Sequence, residues 1–272
     1  MAKLSARRKL MIASWRAPQE GNIYGKLTVD VTQALAYVAW LRKTTGEKVT
    51  ITHLVGRAVG AALAAAPSLN GVIRFGGFVG HPTVSVSYLV ALDDGKDLAK
   101  AKVEDADKKG VAEIAAELRQ LAEKLRTGKD ENFEKSKGPL QLLPTWLIAP
   151  LVRFTGWITS VLGIAVPALG LERYPFGAAI ITNVGVFGLD EGWAPPTPWA
   201  HVPTYVLIGA VKESPVVIEG SVVVRPLLTL CATIDHRFID GAQGGKLAKV
   251  VRAILENPWQ LEGLDGPPAD VS

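Results

Sequence analysis

The run Asp235-His236-Arg237-Phe238-Ile239-Asp240-Gly241 sets an imidazole at the end of an apolar stretch, four residues ahead of a carboxylate that opens an amphipathic pattern. An unperturbed histidine titrates near about 6.5 and accepts a proton at neutral pH. A thiol titrating near about 8.5 is a matched partner, and removing its proton makes the thiolate that attacks thioesters. One histidine can therefore run thioester exchange without a nucleophilic side chain. Asp240, one helical turn later, can cap the helix or pair with an arginine to hold the loop, and the structural role is favoured. The spacing His-x-x-x-Asp-Gly is a weak signal alone; the order strand, tight junction, capped helix strengthens it.

The elements that must position this turn are readable around it. Val216 to Ile234 reads as two strands hinged at Glu219-Gly220, with Tyr205 to Val211 as another. Leu247, Val250, Val251, Ile254 and Leu255 share one face of a helix that Asp240 starts and Asn257-Pro258 stops. Upstream, Val55, Val59, Ala62 and Leu63 predict a helix behind Thr52 as its N-cap. Val111, Ile114, Ala115, Leu118, Leu121 and Leu125 predict a second from near Asp107 to near Gly128. Thr83 to Leu92 alternates as a half-buried strand closed by Asp93-Asp94-Gly95. Strands and helices mix without regular alternation, which favours an α/β sandwich with a mixed sheet over a doubly wound parallel one. The polar, proline-containing tail from Glu262 to Ser272 is expected to be mobile.

With 48% apolar and 21% charged residues, the chain can bury a substantial core. Its single cysteine, Cys231, excludes an internal disulfide framework and lies in the apolar run Leu227 to Ile234, as a packed thiol would. The net charge of +4 is interleaved rather than blocked, so no nucleic-acid partner is expected. Met1 to Pro18 carries Arg7, Arg8 and Lys9, but Leu10 to Trp15 is too short for a secretory core, which makes the cytoplasm the expected location. No metal site is expected.

Between Gly138 and Leu171 the only charged residue is Arg153, and Trp146 and Trp157 are among the apolar ones. The length approaches that of a membrane span. Pro144, Pro150, Gly156, Gly163 and Pro167 should break it into pieces, giving two short apolar helices that bury a subunit contact, touch a membrane surface or form a hydrophobic lid.

Asp235 to Gly241 resembles the DHRxxDG motif of the catalytic domain of dihydrolipoamide acyltransferases, the core component of 2-oxo-acid dehydrogenase complexes, to which chloramphenicol acetyltransferase is related. Other stretches agree in order: Leu69-Asn70 after an alanine-rich helix, Asp105-Ala106-Asp107-Lys108-Lys109 with the following Ala112 to Leu118, and Ile181-Thr182-Asn183-Val184-Gly185-Val186-Phe187-Gly188, which is similar to the family's TISNLGMFG. The resemblance implies a chloramphenicol acetyltransferase-like two-layer α/β sandwich with a mixed sheet, forming trimers. It implies His236 as general base, Thr182 as hydrogen-bond donor to the tetrahedral oxyanion, and Asp240 as a brace of the histidine loop, paired with an early arginine such as Arg8. His236 of one subunit would face Thr182 of its neighbour. Coenzyme A is implied as substrate, with no assignment of its binding residues.

The resemblance makes residues 1–272 a single acyltransferase catalytic-type domain, with 138–175 an apolar insertion, 262–272 a mobile tail, and no lipoyl or subunit-binding domain. Any lipoyl group would then arrive in trans on another protein, and trimers could build a larger hollow particle. The family's LVVPV is replaced by Leu98-Ala99-Lys100-Ala101-Lys102-Val103. These departures keep two alternatives open: a cage or scaffold with little activity, and an acyltransferase for a hydrophobic acceptor other than lipoyl, with a hydrophobic or membrane contact through 138–171.

Overall fold

A computed structural model of the chain describes residues 21–92 and 97–269. Met1 to Pro18, with Arg8, and the Asp93-Asp94-Gly95 turn lie outside the described residues. Eight strands are described: β1 (Asn22–Asp30), β2 (Gly71–Arg74), β3 (Gly77–Gly80), β4 (Val86–Leu92), β5 (Asp97–Val103), β6 (Ala179–Asn183), β7 (Thr204–Ile218) and β8 (Ser221–Asp235). The helices are α1 (Thr32–Thr45), α2 (Ile51–Ala65), α3 (Val111–Arg126), α4 (Glu131–Leu142), α5 (Thr145–Gly156) and α6 (Gly241–Glu256).

Six strands form one sheet in the order β1-β8-β7-β6-β4-β5, and β2 with β3 makes a separate hairpin. β6 runs parallel to both β4 and β7, while the other pairs are antiparallel, so the sheet is mixed as the sequence predicts. One apolar cluster joins Val29, Val86, Ile181, Ile208 and Leu228 from the sheet to Leu54, Ile114 and Leu255 from α2, α3 and α6. That cluster is the interlayer core of a two-layer sandwich. Trp259, 1% exposed, plugs its end: its ring meets Tyr37 edge-on at 5.3 Å, and its Nε1 donates to Gln33 Oε1 at 2.9 Å.

Several local expectations shift. The stretches read as Tyr205 to Val211 and Val216 to Ile218 are one strand, β7, which continues past a register shift between Ile208 and Val211. The hinge at Glu219-Gly220 holds, with φ of 49° and 79° at the two turn residues. The first helix is capped at Thr50, not Thr52, because His53 reaches back to the Thr50 backbone N–H. The helix expected from near Asp107 starts at Val111, where Glu113 accepts from the Gly110 N–H at 2.7 Å. The tail expected to be mobile begins with held residues, since Glu262 accepts from Tyr37 Oη at 2.6 Å and Leu264 packs on the core.

The apolar segment also differs from expectation. Pro150 lies inside α5, and Gly156 ends that helix only to pass into a π-helical turn, Trp157–Val161. Gly156, where the α-helix ends, is also a point of close packing: a Cβ there would stand 2.2 Å from the Trp199 carbonyl oxygen. Ile148 and Val152 face inward against Trp199, leaving Trp146, Pro150, Phe154 and Trp157 exposed along the opposite side. Among the described residues, no helix is long and apolar enough to cross a membrane.

Candidate active site

β8 ends at Asp235, and the next residues turn tightly into α6. The turn is held at every step. The Phe238 N–H donates to the Asp235 carbonyl at 3.1 Å and the His236 N–H to the Gly21 carbonyl at 3.0 Å. The Asp235 carboxylate is buried and accepts from both the Arg237 backbone N–H and its guanidinium, at 2.9 and 3.0 Å. Ile239, 3% exposed, pins the turn to the core.

That pinning fixes the imidazole. His236 Nδ1 lies 2.6 Å from the Ile239 carbonyl oxygen. A carbonyl can only accept, so Nδ1 carries the proton and Nε2 of the neutral ring keeps its lone pair. The residue as a whole is exposed. The arrangement presents an oriented proton acceptor at one end of the sheet, past the C-terminus of β8.

Asp240 takes the capping role. Its Oδ1 accepts from the Ala242 and Gln243 N–H groups at 2.9 and 3.1 Å, and Gln243 Oε1 accepts from the Asp240 N–H at 3.0 Å. Arg8, its expected ion-pair partner, lies outside the described residues. The carboxylate that visibly braces the loop through an arginine is Asp235.

Thr182 sits near the C-terminal end of β6, half-buried. Beyond it, Asn183 Nδ2 donates to Thr52 Oγ1 at 2.9 Å, and the chain folds over β7 at its irregular step. Backbone packs on backbone there: a Cβ at Gly185 would come within 2.3 Å of the Gly209 carbonyl oxygen, and one at Gly209 within 1.8 Å of that of Asp190. Val186 and Phe187 are left exposed at 71% and 72%.

Within one chain, His236 and Thr182 do not meet. Thr182 is in register with Leu207, and Leu207 with Cys231, five residues before His236 and two strands away from β6. At ordinary strand rise and spacing this separates them by on the order of 20 Å. Cys231 is buried and free, as a core thiol.

The sequence alone missed what answers the two unexpected lysines. Glu172, just beyond the apolar segment, bonds to Lys100 Nζ and stands 3.0 Å from Lys102 Nζ. Burial pushes the Glu172 pKa up, but the two ammonium groups outweigh it and hold the carboxyl below its ordinary value. The signal available in the sequence was Lys100 and Lys102 standing where the resemblance called for apolar residues.

A family model described as 2-oxoacid dehydrogenases acyltransferase (catalytic domain) matches residues 4–139 and 169–262. The chain belongs to this family. The match passes over 140–168, most of the apolar segment. The chain is 29% identical over 231 residues to the dihydrolipoyllysine-residue succinyltransferase component of the 2-oxoglutarate dehydrogenase complex of Haemophilus influenzae, covering 81% of this chain and 46% of that protein. It is 28% identical to the dihydrolipoyllysine-residue acetyltransferase component of the acetoin cleaving system of Bacillus subtilis, covering 87% and 50%. The chain thus spans about half the length of these relatives. Among solved structures, a probable dihydrolipoamide acetyltransferase from Listeria monocytogenes superposes with a TM-score of 0.69 at 21% identity, covering 94% of both chains. The cubic core of a pyruvate dehydrogenase multienzyme complex gives 0.65 at 18% identity, covering 93% and 88%, and chloramphenicol acetyltransferase 0.50 at 12%, covering 93% and 96%. These likenesses show the shared fold: the acyltransferase family core, with its mixed sheet.

Proposed function

We propose that the protein moves an acyl group between coenzyme A and a second thiol, with His236 as general base. The observation that carries this reading is the 2.6 Å contact from His236 Nδ1 to the Ile239 carbonyl, which leaves Nε2 as the free proton acceptor. Nε2 takes the proton of the incoming thiol. The thiolate adds to the thioester carbonyl, and the new C–S bond gives a tetrahedral oxyanion. Collapse breaks the old C–S bond, and the leaving thiolate recovers the proton from Nε2. The Thr182 hydroxyl is the oxyanion's donor, a role worth about 10²–10³ in rate where it has been removed elsewhere.

Because Thr182 stands far from His236 in its own chain, the complete site needs a neighbouring subunit, and a homotrimer supplies one. In Azotobacter vinelandii dihydrolipoamide acetyltransferase, a solved structure addresses a serine, a histidine and an asparagine in the catalytic mechanism. Here Thr182, His236 and Asp240 take the corresponding roles, with Asp240 shaping the loop through its cap. The second thiol is a lipoyl group carried by another protein, as the named complexes of the relatives suggest. Assembly of trimers into a larger hollow particle is the matching proposal for quaternary structure. The exposed apolar stripe Trp146, Pro150, Phe154 and Trp157 favours a hydrophobic contact through 138–171 as an addition to that core.

Assembled protein given acetyl-CoA or succinyl-CoA with free dihydrolipoamide is expected to consume the thioester, and His236→Ala to stop it. No consumption of either donor, or an unchanged rate in His236→Ala, overturns the reading.

A further inference from the structure

The end of the sheet that carries His236 also carries a cavity of about 210 Å³, where β4 begins and β5 ends. Val86, Ala179, Thr204 and Ile234 are in register across the sheet, so the cavity lies three strands from His236, roughly 14 Å at ordinary strand spacing. It is a separate place at the same end of the sheet.

Its walls carry several polar groups, and the backbone around them is closely packed. Thr83 and Ser85 line it, their hydroxyls 3.1 Å apart, with Ser85 only 6% exposed. Gly177 closes on Ser85 so tightly that a Cβ would lie 2.3 Å from the Ser85 carbonyl oxygen. Tyr174, at φ 45°, lays its ring against the His81 ring with centroids 4.3 Å apart, and its hydroxyl accepts from Arg74 at 3.1 Å. Ser160, reaching the other side of the His81 and Tyr174 pair, is 4% exposed, with its Oγ unpartnered among the described residues.

The charges are unbalanced in one direction. Lys102 lines the cavity and is shared between Glu172 at 3.0 Å and Glu104 at 3.1 Å, Glu104 being the one carboxylate in the lining. Lys100 also draws on Glu172. Arg173 lines the cavity with its guanidinium over the face of Tyr174, 5.2 Å from the ring centroid, and among the described residues no carboxylate pairs with it. Lys100 and Lys102 thus have carboxylates to answer them, Asp130 adding to Glu172 at Lys100, and among the described residues the positive charge left without one is the guanidinium. His81 Nδ1 is buried and unpartnered among the described residues. Burial, then Lys102 and Arg173, hold that ring neutral down to about pH 4, so both cations bear on it.

We propose that this cavity binds a compact oxyanion, a phosphate or carboxylate group, gripped by Arg173 and Lys102 and seated on the Thr83 and Ser85 hydroxyls. An anion there gives the guanidinium charge-assisted hydrogen bonds, the strong kind. The anion arrives either as part of a larger substrate that also reaches His236 or as a free small anion.

Titration calorimetry of the full chain with inorganic phosphate, and separately with succinate, tests the proposal against a background of chloride at equal ionic strength. One saturable site per chain is expected for at least one of the two. Arg173→Gln, at an exposed residue with no ion pair among the described residues, should weaken it by about tenfold or more, as loss of a charge-assisted bond does. No saturable binding of either anion, equal displacement by chloride, or unchanged affinity in Arg173→Gln overturns the site. Competition by coenzyme A would support the site with a substrate phosphate as its source, whereas binding alongside coenzyme A would support it with a free anion.

Discussion

Two histidines stand at helix starts in this molecule, and they hold their rings in opposite ways. His53, in the first turn of α2, uses Nδ1 as an acceptor for the Thr50 backbone N–H at 2.9 Å. Burial, with a smaller push from Arg42, drives its pKa down to about 4. His236, four residues ahead of the α6 cap, gives Nδ1 as a donor to a carbonyl and keeps Nε2 in an exposed turn. The first ring spends its lone pair on the backbone; the second saves it. Whether the local backbone offers an N–H or a C=O therefore decides which histidine can accept a proton from a substrate.

The largest effect expected from this contrast is kinetic. His236→Ala should lower kcat/KM by about 10²–10⁴, the usual worth of a general base, while His53→Gln should leave it within a few-fold. Comparable losses in both variants would break the comparison. Thr182→Ala should follow, with kcat down by about 10²–10³, and Thr182→Ser should retain most of the rate because the hydroxyl remains. A smaller effect concerns stability. His53 binds its proton less readily folded than unfolded, so its contribution is complete above about pH 6.5 and is lost as pH falls toward 4. Going from pH 7 to pH 5 should cost on the order of 1–2 kcal/mol through this group, and urea midpoints should show a gentler slope for His53→Gln.

The parts legible in the sequence were those whose causes are local. Asp240 caps α6 because the cap, Gln243 and the apolar face all lie within a few residues of one another, and the hinge at Glu219-Gly220 is equally short-range. The mixed sheet followed from the irregular succession of strand and helix patterns. What was not legible depends on groups distant in the chain. Thr50 replaced Thr52 as the cap because a histidine, outside the usual Glu or Gln of a capping box, supplied the returning bond. Pro150 signalled a break, yet the helix runs through it, with Ile148 and Val152 packed against Trp199, and ends only at Gly156. Lys100 and Lys102 looked like departures until Glu172, on the far side of the apolar segment, paired with them. The separation of His236 from Thr182 is a fact of strand order, which no spacing of residues along the chain encodes.

That separation gives the central claim its sharpest test: one protomer contributes the base and its neighbour the hydroxyl. His236→Ala and Thr182→Ala protein, each nearly inactive, are unfolded, mixed in equal amounts and refolded together, and thioester consumption is measured. Random pairing of protomers around a ring restores an intact site at roughly a quarter of the interfaces, so activity should rise to about that share of the unmutated protein's rate. A mixture no more active than the two variants assayed separately, with assembly intact, would contradict the account.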